Sequence, residues 1–149
     1  MSSDCYVLIT FRAHDKSGVI KAAQDILKIC DDRDAQRILE HFAEGLGYGE
    51  GPKGDVCSFG FIGNYVQGDG LARHMEAFFK RMWPKTHRYA GNRINEFGLT
   101  TADSSLYPFS VPLLFLQPHY TNRVDIYQFE WPGEIKHYNH TGFWSLERN

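Results

Sequence analysis

The fold class follows from residues 5–30, CYVLITFRAHDKSGVIKAAQDILKIC, in which the hydrophobic period changes from that of a strand to that of a helix. The first seven residues are rich in β-branched and aromatic side chains. They predict a strand over Cys5–Phe11 that is central in a sheet and buried on both faces. From about Ser17 the apolar residues recur at helical spacing, with Ser17 or Asp15 as the N-cap. This segment therefore predicts a strand that leads directly into a helix.

Two further helices are predicted along the chain, each from an apolar stripe at helical spacing. The stripe of the second helix comprises Ala35, Ile38, Leu39 and Phe42. The stripe of the third comprises Leu71, Met75, Phe78, Phe79 and Met82. An aspartate is the expected N-cap of each helix: one of Asp31, Asp32 and Asp34 for the second, and Asp69 for the third.

Strand-like segments complete the pattern. Residues 55–66, DVCSFGFIGNYV, precede the third helix, and Gly60 and Gly63 within them predict a bulge or a close backbone approach. Several short strands are expected later in the chain; prolines interrupt the one at residues 106–118, which places it at a sheet edge or in an extended loop. The predicted fold is one α+β domain over residues 1–149: a mostly antiparallel sheet with helices packed on one face. Its N-terminal part resembles half of a ferredoxin-like fold.

Composition excludes several classes of protein. With 42% hydrophobic and 15% aromatic residues in 149, the chain has ample material for a packed core and is unlike a disordered protein. Its three cysteines form no Cys-x-x-Cys pair, which favours a reducing compartment over a disulfide framework. The apolar run near the N-terminus is too short for a signal peptide or a membrane span. We therefore expect a cytoplasmic protein with no cofactor, no metal and no membrane partner.

Charge is distributed unevenly along the chain, although the formal net charge is only −2. Residues 25–55 contain eight carboxylates against four basic side chains, a net of −4. Residues 73–93 contain six basic side chains against one carboxylate, a net of +5. Blocks of opposite sign create fields that steer charged partners, so we expect a molecule with an acidic side and a basic side.

The acidic block is the first candidate for a functional surface. Carboxylates held on a helix can imitate phosphates and bind a protein partner with a basic surface, and a tyrosine in the glycine-rich loop 44–54 can add an aromatic anchor. The predicted partner-binding residues are Asp31, Asp32, Asp34, Glu40, Glu44 and Tyr48. Asp31, Asp34 and either Glu40 or Glu44 are expected on one exposed side. The corresponding function is a small binding inhibitor, of the type of toxin-neutralising immunity proteins, antitoxins or anti-defence proteins.

The basic block, KRMWPKTHRYAGNR at residues 80–93, is explained mainly by local structure. Lys80 and Arg81 complement the dipole at the end of the third helix, and Pro84 stops that helix. If the following residues form a strand, Arg88 and Tyr89 point to opposite faces and cannot make one stacking platform for bases. Nucleic acid is therefore the second choice of partner.

Histidine chemistry is the main alternative function. The chain has seven histidines but no His-Glu-x-x-His motif, no phosphate-binding loop and no nucleophile elbow. An enzyme acting on nucleic acid or a nucleotide would use His119 or His137 as base, His14 as acid, and Arg123 or Lys136 for the phosphate. This alternative requires at least two histidines to converge in one cleft.

A third interpretation rests on residues 9–20, ITFRAHDKSGVI. A strand that runs into Asp-x-x-Gly and then into a helix resembles the opening of the ACT small-molecule-binding domains. The matching residues are Asp15, Gly18 and Val19. The resemblance implies a regulatory module in which this loop contacts a small effector such as an amino acid.

Overall fold

A five-stranded antiparallel sheet and three helices make up the part of the chain that the computed structural model describes, which is residues 4–13, 16–49, 56–82, 112–119, 121–130 and 134–141. The elements in chain order are β1 (Asp4–Arg12), α1 (Lys16–Leu27), α2 (Arg33–Ala43), β2 (Val56–Asn64), α3 (Gly68–Met82), β3 (Leu113–Pro118), β4 (Arg123–Glu130) and β5 (Glu134–Thr141). The strand order is β2-β1-β3-β4-β5, and every pairing is antiparallel. The predicted α+β class is confirmed.

Strand β1 lies between β2 and β3 and alternates between a buried and an exposed face. Cys5, Val7, Ile9 and Phe11 belong to the core that the helices cover. Tyr6 and Leu8 point the other way and are 44% and 39% exposed. The prediction that β1 is buried on both faces is thus wrong for its first half, because the three described helices pack on one face of the sheet.

Aromatic rings fill the space between the helices and the sheet. Phe11 lies at the centre, with edge-to-face contacts to Phe42 on α2 and to Phe78 and Phe79 on α3, at centroid distances of 5.2, 5.8 and 5.3 Å. Phe79 also packs on Phe129 of β4 at 5.0 Å. Edge-to-face pairs contribute beyond their buried area, so this cluster anchors α2 and α3 to the sheet.

Strand β3 is an inner strand, between β1 and β4. The prediction of an edge strand or extended loop for residues 106–118 is wrong for Leu113–Pro118, and residues 106–111 lie outside the described residues. The reason lies in the positions of the prolines: Pro112 precedes the strand and Pro118 is its last residue. The residues between them keep the backbone N–H groups that an inner strand needs for its two ladders.

The chain passes through α1 and α2 between β1 and β2, yet these two strands pair directly in the antiparallel sense. This connection departs from the split strand–helix–strand unit of the ferredoxin-like fold, because two helices in succession bring the chain back in the opposite direction. The helices do lie on one face, as that resemblance implies. Residues are paired one to one from Asp4 with Asn64 to Arg12 with Val56, so the described ladder has no bulge.

The sequence predicted either a bulge or a close backbone approach at Gly60 and Gly63, and the close approach is found at Gly63. A Cβ atom at this position would lie 2.5 Å from Cγ2 of Val66 and 3.1 Å from Oδ1 of Asp34. The end of β2, the turn after it and the start of α2 therefore meet here without room for a side chain. Gly60 has no such constraint, since a Cβ there would make ordinary contacts at 3.5 and 3.6 Å.

The helix starts differ in part from the prediction. Helix α1 begins at Lys16, so Ser17 lies inside it, and Asp15 is outside the described residues. Helix α3 begins at Gly68, which puts Asp69 in the first turn and not at the cap; its Oδ1 accepts a 3.0 Å hydrogen bond from the Tyr127 hydroxyl. Among the described helices, none has the length and apolar character needed to cross a membrane.

Candidate functional site

Asp32 is the N-cap of α2. Its backbone is extended (φ −96°, ψ 126°), its Oδ1 accepts a 2.9 Å hydrogen bond from the Ala35 N–H, and its carbonyl accepts from the Gln36 N–H at 2.9 Å. These bonds satisfy donors that the first turn of a helix leaves without partners. Of the three aspartates that were candidates for the cap, Asp32 holds the position, which gives this carboxylate a structural task.

Asp34 is buried, with 6% of its surface exposed. The expectation that it shares an exposed side with Asp31 and Glu40 or Glu44 is therefore wrong. Among the described residues its carboxyl group has no hydrogen bond and no ion pair. Burial, followed by the charge of Asp32, raises the pKa of Asp34, while Arg33 and Arg37 act in the opposite direction.

Asp31, in contrast to the buried Asp34, lies at the surface, and its side chain is 94% exposed. Its Oδ1 lies 3.3 Å from Nε2 of His74 on α3, and Nδ1 of the same ring is 2.8 Å from the Gly70 carbonyl oxygen. A carbonyl only accepts, so Nδ1 is the donor there. The contact with Asp31 then becomes a charged hydrogen bond when the imidazole carries both protons.

Glu40 and Glu44 stand at the opposite end of α2, one turn apart and both exposed. A backbone cap closes this end: the Gly45 N–H donates to Phe42 O at 3.0 Å, the Leu46 N–H donates to His41 O at 3.1 Å, and Gly45 has φ +81°. Neither glutamate has an ion-pair partner in the described part of the chain. Both carboxylates thus lie where the helix dipole is itself negative.

Between these glutamates lies a surface depression of about 240 Å³, lined by Arg37, Glu40, His41, Glu44 and Phe59. We call these five residues the α2–β2 surface. The His41 ring stacks on Phe59 with centroids 4.0 Å apart and planes 20° apart. Burial lowers the pKa of His41, and the nearby Glu44 partly offsets this effect. The depression therefore combines carboxylates with a flat aromatic wall.

Arginines of α2 bind backbone carbonyl groups of β2, which lies at the edge of the described sheet, and Arg37 also borders the α2–β2 surface. Arg33 Nη2 donates to the Asn64 carbonyl at 2.9 Å, and Arg37 Nη1 donates to the Ile62 carbonyl at 3.1 Å. The Arg37 guanidinium also lies 4.2 Å above the Phe61 ring. Capping of edge carbonyls blocks the addition of a foreign strand and gives the surface a rigid base.

Tyr48 lies beneath the glycine-rich loop, and its ring packs on the core at 5.8 Å from Phe42. Its hydroxyl donates a 3.2 Å hydrogen bond to the Phe42 carbonyl, and Lys16 Nζ lies 5.3 Å from its ring. Burial raises the pKa of this phenol. Tyr48 thus supports the C-terminal end of α2, and its ring does not stand free at the tip of the loop.

Sequence reasoning missed Arg37, His41 and Phe59. Alternation along β2 places Phe59 on the same face as Cys57 and Phe61, so the orientation of its ring was available from the pattern. The position of α2 over the edge of β2 could not be predicted from this pattern, because the pairing of β2 with β1 brings the two elements together.

The residues of the histidine alternative are partly brought together. Asp125 Oδ1 lies 3.1 Å from Nε2 of His137 and 3.4 Å from Nη2 of Arg123, which also donates to Asn139 Oδ1 at 2.8 Å. The His137 ring stacks on Tyr127 at 4.2 Å and 8°. His137 of β5 and Arg123 of β4 therefore share one carboxylate, that of Asp125 on β4.

The other members of that set lie apart or outside the described residues. His119 follows β3 and makes an edge-to-face contact with Tyr6 at 5.7 Å, while Lys136 is exposed on β5. His14 is outside the described residues. In the described ranges no group of three or more His, Cys, Asp and Glu side chains has the arrangement of a metal site.

Of the residues of the ACT-like interpretation, Gly18 and Val19 lie in the first turn of α1, and Asp15 is outside the described residues. Gly18 lines a depression of about 150 Å³ together with Lys21, Asp25 and Arg81 of α3. Arg81 donates two hydrogen bonds to Asp25 Oδ2, at 2.8 and 3.2 Å. Val19 is 0% exposed and belongs to the core.

The basic block is accounted for where the structure describes it. Arg81 binds Asp25, and Lys80 lies 3.7 Å from Glu76, one turn earlier on α3. Residues 83–93 of the block lie outside the described residues.

Comparison of the chain with protein-family models, with curated proteins and with solved structures found no match.

Proposed function

We propose that this chain is a small cytoplasmic inhibitor that binds a basic protein partner through the acidic surface at the C-terminal end of α2. The observation that carries the proposal is the pair Glu40 and Glu44, which are exposed, adjacent and without ion-pair partners among the described residues. The proposed contact residues are these two carboxylates with His41 and Phe59. Asp31 extends the acidic surface at the other end of the helix.

The energetics of α2 support a functional role for this pair. Negative charge in the last turn of a helix opposes the dipole at a cost of about 0.3–1 kcal/mol per group. Like charges four residues apart cost about 0.2–0.5 kcal/mol more. Local stability therefore disfavours Glu40 and Glu44, and residues that break a local rule without a structural gain are typical of functional sites.

The chemistry of the depression favours an arginine side chain of the partner. A guanidinium forms paired hydrogen bonds with carboxylates and stacks on aromatic planes, whereas an ammonium is a compact, strongly hydrated charge. The chain contains its own example of such stacking, since Arg37 lies over Phe61, the neighbour of Phe59. A partner arginine against His41, with Glu40 and Glu44 on either side, would repeat that geometry.

Size, charge distribution and thiols support the proposed class of inhibitor. The three cysteines, all of them in the described part of the chain, form no disulfide with one another and are buried, which is compatible with a reducing compartment. Segregated charge accelerates association with a partner of opposite sign. Immunity proteins, antitoxins and anti-defence proteins are the proposed class, because such a protein inhibits its target by binding and need not catalyse a reaction.

A peptide titration tests the surface directly. An oligo-arginine peptide is titrated into isotope-labelled protein, with an oligo-lysine peptide of the same length in parallel, and backbone amide shifts are followed by NMR. We expect shifts centred on Glu40, His41, Glu44 and Phe59, weaker with lysine and weakened by added salt. The double variant Glu40→Gln with Glu44→Gln should lose them.

A matched control carries the same change in charge elsewhere: Asp25→Asn with Glu76→Gln, on α1 and α3. This control should keep the shifts at the α2–β2 surface. Equal loss in both double variants would mean that net charge, and not this surface, attracts the peptide. Shifts that map away from α2 and β2 would refute the proposed site.

A second candidate function is acid–base chemistry on a phosphodiester at His137, and the observation that favours it is the carboxylate shared by His137 and Arg123. Because Asp125 orients Nε2, the Nδ1 atom is available as a base. An assay with single-stranded and double-stranded nucleic acids should then show cleavage that His137→Gln abolishes. No cleavage, or cleavage that His137→Gln leaves intact, would remove this candidate.

A further inference from the structure

We propose that Asp34 is a proton-operated clamp: in its neutral form it holds the start of α2 against the end of β2, and in its ionised form it loosens that contact. The inference does not depend on the proposed function. It assigns a conformational role to a buried carboxyl group that neither the helix cap nor the acidic surface uses.

The geometry around Asp34 leaves its carboxyl group enclosed and, in the described part of the chain, without a hydrogen-bond partner. The side chain is buried, and among the described residues it neither donates nor accepts a hydrogen bond. Gly63 packs closely against it, since a Cβ atom there would come within 3.1 Å of Asp34 Oδ1. A buried charge without hydrogen bonds is far more costly than a buried neutral carboxyl group.

The charged and titratable groups around Asp34 do not supply that partner. On α2, Asp32 repels its charge, while Arg33 and Arg37 attract it. The two guanidinium groups are, however, bound to carbonyl oxygens of β2. From β1, the buried Cys5 thiol faces the same region, and Asp34 contributes to the raised pKa of that thiol.

Two effects on Asp34 oppose each other, and burial is the stronger. The start of a helix favours negative charge, so the dipole of α2 stabilises the ionised form. Burial and Asp32 nevertheless raise the pKa of Asp34 above its ordinary value. The folded chain therefore binds this proton more tightly than the unfolded chain does.

The sign of the resulting pH dependence is fixed by linkage. A carboxyl group whose pKa is higher in the folded state contributes fully to stability below the pKa of the unfolded chain, about 3.9 for aspartate. That contribution is lost as pH rises from there through the folded pKa. Above it, the folded state retains an ionised, buried carboxylate, and the junction of α2 with β2 is weakened.

The test compares Asp34→Asn, which keeps the shape and removes the charge, with the native chain across pH. At pH 7 we expect the variant to melt about 2–4 °C higher, the shift that corresponds to a modest gain for a chain of this size. The difference should disappear below about pH 4, where both side chains are neutral. Asp34→Ala should show the same change with pH relative to the native chain, offset to lower melting temperature at every pH by the cavity that it creates.

Two aspartates provide matched controls. Asp31→Asn, at an exposed site, should not reproduce the rise in melting temperature at pH 7. Asp25→Asn should act with the opposite sign, because a hydrogen bond from Arg81 lowers the pKa of Asp25, and this variant should melt lower than the native chain at pH 7. If Asp34→Asn melts lower than the native chain at pH 7, the charge of Asp34 is stabilising and the clamp is refuted.

Hydrogen exchange locates the effect. The amides of Ala35 and Gln36, which the N-cap protects, should exchange several-fold faster in the native chain at pH 7 than in Asp34→Asn, after correction for intrinsic rates. Amides in the centre of α3 should not differ. Equal protection of the α2 start in both proteins would show that ionisation of Asp34 does not loosen the junction, and would overturn the proposal.

Discussion

Both ends of α2 carry acidic residues, but the helix dipole acts on their charges in opposite directions. At the start, Asp32 caps the helix and Asp34 is buried against Gly63, where the helix dipole favours negative charge. At the finish, Glu40 and Glu44 are exposed and lie where the dipole disfavours them. Asp32 stabilises the start of the helix as its cap, and Asp34 is enclosed there. Glu40 and Glu44 have no structural task among the described residues, so only this pair needs an explanation in terms of binding.

The largest effect is expected from Gly63→Ala, which tests how closely the start of α2 packs against the end of β2. The added Cβ would lie 2.5 Å from Val66 Cγ2 and 3.1 Å from Asp34 Oδ1, so the turn and the helix start must move apart. We expect a loss of about 1–3 kcal/mol of unfolding free energy in urea denaturation, the usual cost of overpacking. Gly60→Ala, with ordinary contacts at its Cβ, is the control and should be clearly milder. Equal effects would mean that the junction is not tightly packed.

A smaller loss is expected from Asp32→Ala, which removes the side-chain acceptor for the Ala35 N–H. The usual cost of a lost N-cap is about 1 kcal/mol. Asp32→Asn keeps an acceptor and should retain most of the stability, so the two variants separate capping from charge. If Asp32→Asn loses as much as Asp32→Ala, the negative charge at this position matters more than the hydrogen bond.

The smallest effect should have the opposite sign. Glu44→Gln removes a carboxylate from the finish of α2 and should raise the unfolding free energy by about 0.3–1 kcal/mol at low salt. The double variant Glu40→Gln with Glu44→Gln should have a slightly higher free energy of unfolding still, and added salt should reduce both increases. The same variants should lose the proposed binding. Destabilisation by Glu44→Gln would indicate a structural task for this carboxylate and would remove the contrast between the two ends.

Local patterns predicted the elements well and their environments less well. Apolar spacing identified α2 and α3 with their buried residues, and the aspartates near residue 32 predicted the start of α2. Spacing alone could not predict that Asp34 lies under Gly63, since that contact joins elements about thirty residues apart in sequence. The same limit applies to β3, whose prolines suggested an edge although strand order places it inside the sheet.

The candidate site shows the same division. Glu40 and Glu44 were predicted as part of an acidic surface from composition alone, and their exposure agrees with that expectation. Phe59 and Arg37 entered the site only through the packing of α2 over the edge of β2. Tyr48 was expected as an anchor in a loop, but the Phe42 carbonyl holds it against the core.

The sequence by itself determined which segments become strands and helices and where the acidic residues accumulate, because hydrophobic period and charge are local properties of the chain. Tertiary structure alone decided which carboxylate is a cap, which is buried and which faces solvent. The physical reason is that burial and proximity depend on pairing between distant segments, here β1 with β2 and α2 over their edge.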